Sequence, residues 1–581
     1  MLLRRLVLQT ALLGAATLTH ASAPYCLPGD TCFPSDHDLR QLNISVNGRL
    51  IQTKPYGSAC YKATYNAGGC LAVAANNNDS DFRLRTPPAV MYTNAEQVRE
   101  KDTWLGCPIP DLSIDEFAPS AIDGSCTLGN MSPYIVNASS VNDIVEAVNF
   151  AAKYNLRFRI KNTGHDYLSR STGQGSLTIW THYMNDVKLI KGFKTCYSDN
   201  RQDVISVGPG VTAQQLYAAG ANYGVVTIGS FTATVGAAGG YVLGGGSGPL
   251  SSMLGLAIDN VVQFEVVTAD GDRKIVNGCT NQDLFWALRG GGGAFAVVIR
   301  VFYKTYPAFT AINTVFAQVG CLRNESYKAL IDTVVELQVP FRHAGQMGIW
   351  SANKGLRSVS ILSLRPFTND NIEDQNNILK LFDRIRVIKD CTSQVSTAQF
   401  RGDDSWNQAY NTVLFPVTKA GAPVGINIIN LSRLVPYKMM ENTKGSSDLN
   451  LQRIKDYIFG LPLDVSFLWQ NTIGEATRKI APNATAIHPD WREAFGYINA
   501  PVVGPWHGMT DEQIRHYKVI LKKTSHVFGD AAYYNEDYFF EKNWQESFFG
   551  ANYPRLLRIK KAVDPKGLFN CPLCVGAEDG W

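Results

Sequence analysis

The stretch from Gly229 to Gly255 constrains this chain more than any other. It carries nine glycines, and its centre reads Val235-Gly236-Ala237-Ala238-Gly239-Gly240-Tyr241-Val242-Leu243-Gly244-Gly245-Gly246-Ser247-Gly248. Glycine in a regular helix or strand costs roughly 0.5–1 kcal/mol relative to alanine, so such a run is held by its surroundings. What it offers is close approach of backbone to a bulky ligand. A second segment, Arg159-Ile160-Lys161-Asn162-Thr163-Gly164-His165-Asp166-Tyr167, takes a strand into a polar, glycine-bearing loop. Loops of this kind aim successive N–H groups at an anion, typically a phosphate. Neither segment ends in Gly-Lys-Ser/Thr, and neither opens a helix with G-x-G-x-x-G. The pattern therefore requires a two-loop cradle that is neither a P-loop nor a Rossmann turn.

Around these loops the sequence alternates strands and helices. Strands are expected at Tyr134–Val136, Arg157–Lys161, Ser176–Trp180, Val204–Val207 and Val225–Ile228. Ser140 caps a helix over Val141–Tyr154, with Ile144, Val145, Val148 and Ala151-Ala152 at helical spacing. A helix between two strands predicts a βαβ unit. Gly208-Pro209-Gly210 turns the chain into a helix over Thr212–Tyr223. A hairpin over Val261–Thr268 and Arg273–Val276 follows, then a helix at Asp283–Leu288, the run Gly290–Gly293 and a strand at Ala296–Tyr303. From about 308 to 530 the character changes. Strand-like Val359–Leu362 and Gly425–Ile429 alternate with helical Tyr327–Leu337 and Asp374–Ile385, which predicts a second α+β domain. Residues 531–581 are too few to bury a core and are expected to pack back on the first domain. The chain has 45% hydrophobic and 18% charged residues, which excludes a disordered polymer. Its net charge of +4 is spread without basic runs and gives no footprint for nucleic acid.

The first 23 residues read as a secretion signal. Arg4-Arg5 precede the apolar run Leu6–Leu18, and Ala21-Ser22-Ala23 is a small-residue cleavage pattern. The run is too short to span a bilayer, and no later stretch does better. Twelve cysteines, an even number, favour disulfides in such a chain. Seven Asn-x-Ser/Thr sequons, at Asn43, Asn78, Asn130, Asn137, Asn324, Asn430 and Asn483, agree with an extracellular protein. Residues 24–124 hold five of the cysteines and read as an irregular extension pinned by disulfides. Cys107 and Cys126, 19 positions apart among Pro108, Pro110, Pro119 and Gly124, are expected to pair, with Cys60 or Cys70 as competing partners. Cys571-Pro572-Leu573-Cys574 lacks the second ligand pair that zinc needs and reads as a structural disulfide, so no metal site is expected.

Lys161–Tyr167 with Ser169-Arg170-Ser171, and Val235-Gly236 through Gly248, together resemble the FAD-linked oxidases of the vanillyl-alcohol oxidase and p-cresol methylhydroxylase superfamily, especially fungal, berberine-bridge-enzyme-like members. Gly208-Pro209-Gly210, Leu254–Val261, Asp283–Gly292, Tyr534-Asn535-Glu536-Asp537, Trp544, Gly550–Leu556 and Asp564-Pro565 extend the match. The resemblance implies an α+β fold with a two-subdomain FAD-binding domain of PCMH type at 125–310, a substrate cap at 311–530, and a tail at 531–581 that returns to the FAD domain. It implies one covalent flavin link, through His165. Doubly tethered relatives have a cysteine where Thr232 aligns, and threonine cannot form that thioether. Residues implied at the cofactor are Lys161, Asn162, Thr163, Gly164, Asp166, Ser171, Val235, Gly236, Gly239, Gly240, Gly245, Gly246, Gly248, Asp259, Val261 and Asn535. Oxidation of an alcohol or amine also needs a proton acceptor. His182 and Tyr534 are the first candidates, with Glu536 and Asp537 behind them. The expected activity is a secreted oxidase passing hydride from a small organic substrate to FAD and on to O2. The alternatives are an FAD dehydrogenase slow with oxygen, or a flavin-containing binding protein.

Overall fold

The computed structural model describes residues 25–101, 103–109, 121–195, 201–368, 375–421, 423–440, 447–504, 510–537 and 540–579. The leader expected at 1–23, Pro110, Pro119, Cys196 and Asp374 lie outside them.

A four-stranded sheet opens the molecule. Its strands are β1 (Leu50–Gln52), β2 (Tyr134–Asn137), β3 (Phe158–Lys161) and β4 (Leu177–Trp180), in the order β1-β2-β4-β3. β4 runs parallel to both β2 and β3, as a βαβ crossover requires. The connecting helix Val141–Lys153 starts where expected. Asp143 N–H donates to Ser140 Oγ at 3.3 Å, and Ser140 N–H donates to the Asp143 carboxylate at 3.0 Å. Its buried face of Ile144, Ala147, Val148 and Ala151 covers the sheet.

The second sheet is antiparallel. It comprises β5 (Val187–Lys194), β6 (Arg201–Val207), β7 (Val261–Val267), β8 (Arg273–Asn277) and β9 (Val297–Lys304), in the order β8-β7-β9-β6-β5. The glycine-rich run leaves after the helix Ala213–Asn222 and returns as β7. It folds into single helical turns at Gly240–Leu243, Ser251–Leu254 and Ala257–Asn260, not a plain loop.

The third sheet has seven strands, all from residues 311–499. They are β10 (Ala311–Cys321), β11 (Met347–Asn353), β12 (Ser358–Phe367), β13 (Cys391–Arg401), β14 (Ser432–Pro436), β15 (Ser466–Asn471) and β16 (Ala494–Asn499), ordered β13-β10-β12-β11-β15-β16-β14. This is the cap. Helices Asn324–His343 and Asp511–Phe528 bury Val334, Val335, Tyr517 and Ile520 in its core. A disulfide joins Cys321 to Cys391, which face each other across β10 and β13. The strand expected at Gly425–Ile429 is shorter, Asn427–Ile429, and pairs with Val502–Gly504 outside this sheet.

The extension is more regular than its sequence suggests. Ser35 caps a helix, Asp36–Ser45, and β1 adds an antiparallel edge to β2. Disulfides Cys26–Cys32, Cys60–Cys70 and Cys107–Cys126 hold it, the last being the expected pair. Cys571–Cys574 is likewise a disulfide. Phe569 enters the core of the first sheet, and Lys560 Nζ donates to the carbonyl of Ala294 at 2.7 Å. Among the described residues no helix is long and apolar enough to cross a membrane.

Candidate active site

One large cleft lies between the first two sheets. Its walls come from seven separate parts of the chain: Tyr92 of the extension, 158–171 in β3 and the loop after it, Thr181, Pro209, the 230–247 glycine run, the 293–298 segment entering β9, and the tail at 533–536 and 569–571. Twelve of the residues implied at the site line it: Asn162, Thr163, Gly164, His165, Asp166, Ser171, Val235, Gly236, Gly239, Gly240, Tyr534 and Asn535.

His165 follows Gly164, which turns the loop at φ +82°. Its Nε2 is hydrogen-bonded to Thr234 Oγ1 at 2.7 Å. Burial pushes its imidazole pKa down to about 3, so the ring is neutral across the physiological range. Thr232 also lines the cleft. Beside His165, Asp166 accepts from Arg170 Nε at 2.7 Å and from the Arg170 backbone N–H at 2.5 Å. The Arg170 guanidinium lies 3.9 Å from the Tyr534 ring centroid.

The glycines divide by what they serve. A side chain on Gly236 or Gly239 would strike Asn162, whose amide donates to the Pro209 carbonyl and so ties its loop to the Gly208–Gly210 turn. Gly244 leaves room for Asn535, Gly245 for Ile487, Gly246 for Ala257 and Tyr241, and Gly248 for the Gly229 carbonyl. These serve internal packing. Gly240 alone among the glycines implied at the cofactor has nothing within 4 Å of a Cβ position, and it lines the cleft. The cleft is thus a backbone-walled cradle with a reactive imidazole on one side, which fits a flavin.

Several implied residues sit elsewhere. Lys161 Nζ turns away from the cleft and donates to the carbonyls of Thr86, Pro87 and Ala89 at 3.3, 2.8 and 2.5 Å. It clips the extension to β3, and burial lowers its pKa to about 7. The Asp259 side chain is 1% exposed in a bidentate pair with Arg492, at 2.8 Å to each oxygen. Val261 is core. Gly245, Gly246 and Gly248 also lie off the cleft wall. His182 is a correction to the choice of proton acceptor. It stacks on Trp180, with centroids 5.7 Å apart, and does not reach the cleft. Tyr534 reaches the wall with its ring, but its hydroxyl contacts Cys574 Sγ at 3.2 Å, and burial raises its pKa. Asp537 is buried against Arg433 at 3.1 Å.

Glu536 remains. It lines the cleft, and burial raises its carboxyl pKa to about 7. Tyr497 Oη donates to Oε1 at 3.3 Å, and Gln470 Nε2 donates to Oε2 at 3.1 Å. Facing it, Tyr92 and Tyr167 stack at 4.2 Å with an interplanar angle of 15°. Tyr92, Thr234, Gln470 and Tyr497 were not anticipated. Tyr92, Gln470 and Tyr497 belong to segments whose own sequence pattern reports only packing, Thr234 lies in the glycine run without a signal of its own, and only the fold brings them to Glu536 and His165.

Two family profiles match the chain: "FAD binding domain" over residues 132–277, and "Berberine and berberine like" over residues 532–576. An uncharacterized FAD-linked oxidoreductase of Arthroderma benhamiae is 31% identical over 570 residues, covering 96% of this chain and 94% of the relative. The VAO-type flavoprotein oxidase VAO615 of Thermothelomyces thermophilus is 31% identical over 599 residues, covering 99% and 97%. Among solved structures, the VAO-type flavoprotein MtVAO615 from Myceliophthora thermophila superposes with a TM-score of 0.80 at 28% identity, over 96% of this chain and 98% of that one.

Proposed function

The chain belongs to the FAD-linked oxidoreductases of vanillyl-alcohol-oxidase type, in their berberine-bridge-enzyme-like branch, and from that premise we propose a secreted oxidase with one covalent flavin link. Its substrate is a small organic molecule carrying an alcohol, amine or related carbon centre, and its electron acceptor is O2. One observation carries the reading: the cleft joins a neutral imidazole, His165, to a carboxyl that titrates near neutrality, Glu536.

Thr234 Oγ1 engages His165 Nε2, which leaves Nδ1 as the nitrogen for a bond to the flavin 8α-methyl carbon. Thr232 offers no thiol for a second bond. FAD, when bound, supplies the hydride acceptor and returns the electrons to oxygen. The protein supplies the proton acceptor. Glu536, in its ionised form, takes the proton from the substrate hydroxyl or amine as hydride leaves the adjacent carbon. The ionisable side chains that interact with Glu536 include the tyrosines Tyr92, Tyr167, Tyr497 and Tyr533, which suits an uncharged substrate. The disulfides support an oxidising compartment, with no free thiol among the described cysteines.

The test is a panel of alcohols, amines and sugars scored by loss of flavin absorbance without oxygen, then by peroxide on admitting air. Reduction followed by reoxidation and peroxide is expected. Reduced flavin that persists in air would make the protein a dehydrogenase, and a preparation without flavin would end the proposal.

A further inference from the structure

We propose that Gln470, on cap strand β15, is a positioning residue that orients the Glu536 carboxylate and stabilises its charged form. The inference rests on Glu536 being the proton acceptor. Gln470 Nε2 donates to Glu536 Oε2 at 3.1 Å and to Asn499 Oδ1 at 3.0 Å. Both acceptors sit on one nitrogen, so the amide is held with its N–H groups toward the carboxylate. Gln470 is 6% exposed and Asn499 2% exposed, so neither contact is shared with bulk water. Tyr497 Oη engages the other carboxylate oxygen at 3.3 Å.

Gln470, Tyr497 and Asn499 all stand on β15 and β16, whereas Glu536 stands on the tail. These strands are neighbours, with Gln470 opposite Tyr497 in the ladder. The cap therefore grips both oxygens of a carboxylate that another part of the chain delivers. The ionisable groups interacting with Glu536 are Tyr92, Tyr167, Tyr241, Tyr497 and Tyr533, whose hydroxyls stay neutral near pH 7. With no cation among them, hydrogen bonds are what oppose the cost of burying the charge. Burial raises the carboxyl, while Asn499, Tyr497 and Gln470 pull it back, for a net value of about 7. A donor to a carboxylate favours the charged form, so removing it moves the titration up.

The readout is independent of any substrate. Infrared pH-difference spectra of the flavin-loaded protein follow the protonated-carboxyl C=O band, and Glu536→Gln identifies the part belonging to Glu536. The midpoint is expected near pH 7. In Gln470→Met, which keeps length and volume, it should rise by about one pH unit, a tenfold change in the ionisation constant. Gln470→Leu is the second variant should Met fold poorly. An unchanged midpoint in a folded variant that retains the Glu536 band overturns the proposal, and so does the absence of any Glu536 band. Failure of the underlying reading looks different: Glu536→Gln would then be reduced by substrate as fast as the unaltered protein.

Discussion

His165 has two ring nitrogens and one hydrogen-bond partner, and that asymmetry sets what it can do. With Nε2 on Thr234, the proposed link to the flavin falls to Nδ1. A tryptic peptide containing His165 should bear an added flavin mass, and His165→Ala should release all flavin on acid precipitation. Flavin left in the pellet would reveal a second link and sink the single-tether reading. Glu536 argues from charge. Its folded pKa of about 7 lies above the ordinary carboxylate value. Substrate-driven flavin reduction should therefore rise with pH through about 7, as the ionised form fills. Glu536→Gln should lower that rate by roughly 10²–10⁴, the usual worth of a placed general base, and erase the rise. His165 and the loop around it were legible because their chemistry sits in one continuous segment. Glu536 was visible only as one carboxyl among several. What separates it from Asp537 next door is the partner, because Asp537 faces Arg433 and not the cleft.

At the scale of elements, local signals read well and distant partners did not. Ser140 with Asp143, and Thr212 with Gln215, are capping boxes within four residues, so those helices begin where the sequence places them. β1 has three residues and no alternation to read, and its partner β2 lies about eighty positions away. The extension therefore looked irregular although it supplies a sheet edge and the Tyr92 wall. Lys161 was misread for a related reason: its place in a flavin-loop motif hid that its ammonium binds extension carbonyls. The Cys107–Cys126 bond closes a loop of 19 positions over a small cluster of Tyr61, Ile122 and the Cys60–Cys70 pair. Replacing both cysteines by serine should cost about 3 kcal/mol in the chain-entropy account. Limited proteolysis should then cut the extension well before the flavin domain. Equal cleavage rates in both proteins would show that packing alone holds this element.

Over the whole molecule, the site exists only because seven chain segments meet, and two kinds of buried polar contact help to hold them there. One is a sequon put to internal use. Asn430 is 4% exposed, its amide donates to the Glu536 carbonyl at 2.9 Å, and Tyr533 N–H donates to Ser432 Oγ at 2.8 Å. A glycan on Asn430 would break the seat of the tail, so glycopeptide mapping should find it bare, with sugar on exposed Asn78, Asn324 and Asn483. An occupied Asn430 in active protein would contradict this seat. The other contact is the Asp259–Arg492 pair. It joins the glycine run to the segment entering β16, with both side chains 1% exposed. Arg492 Nη2 also donates to Thr485 Oγ1 at 3.0 Å, and Arg492 Nη1 to the Thr477 carbonyl at 3.2 Å. An ion pair this deep gains little net stability over apolar residues, but removing one partner strands the other charge in the interior, at about 3–5 kcal/mol. Arg492→Met should therefore lower the thermal midpoint sharply. Adding Asp259→Leu to Arg492→Met should restore much of the loss, because no charge is then left alone. If the single variant melts with the unaltered protein, or the double melts below the single, the pair is not what locks the cap to the glycine run.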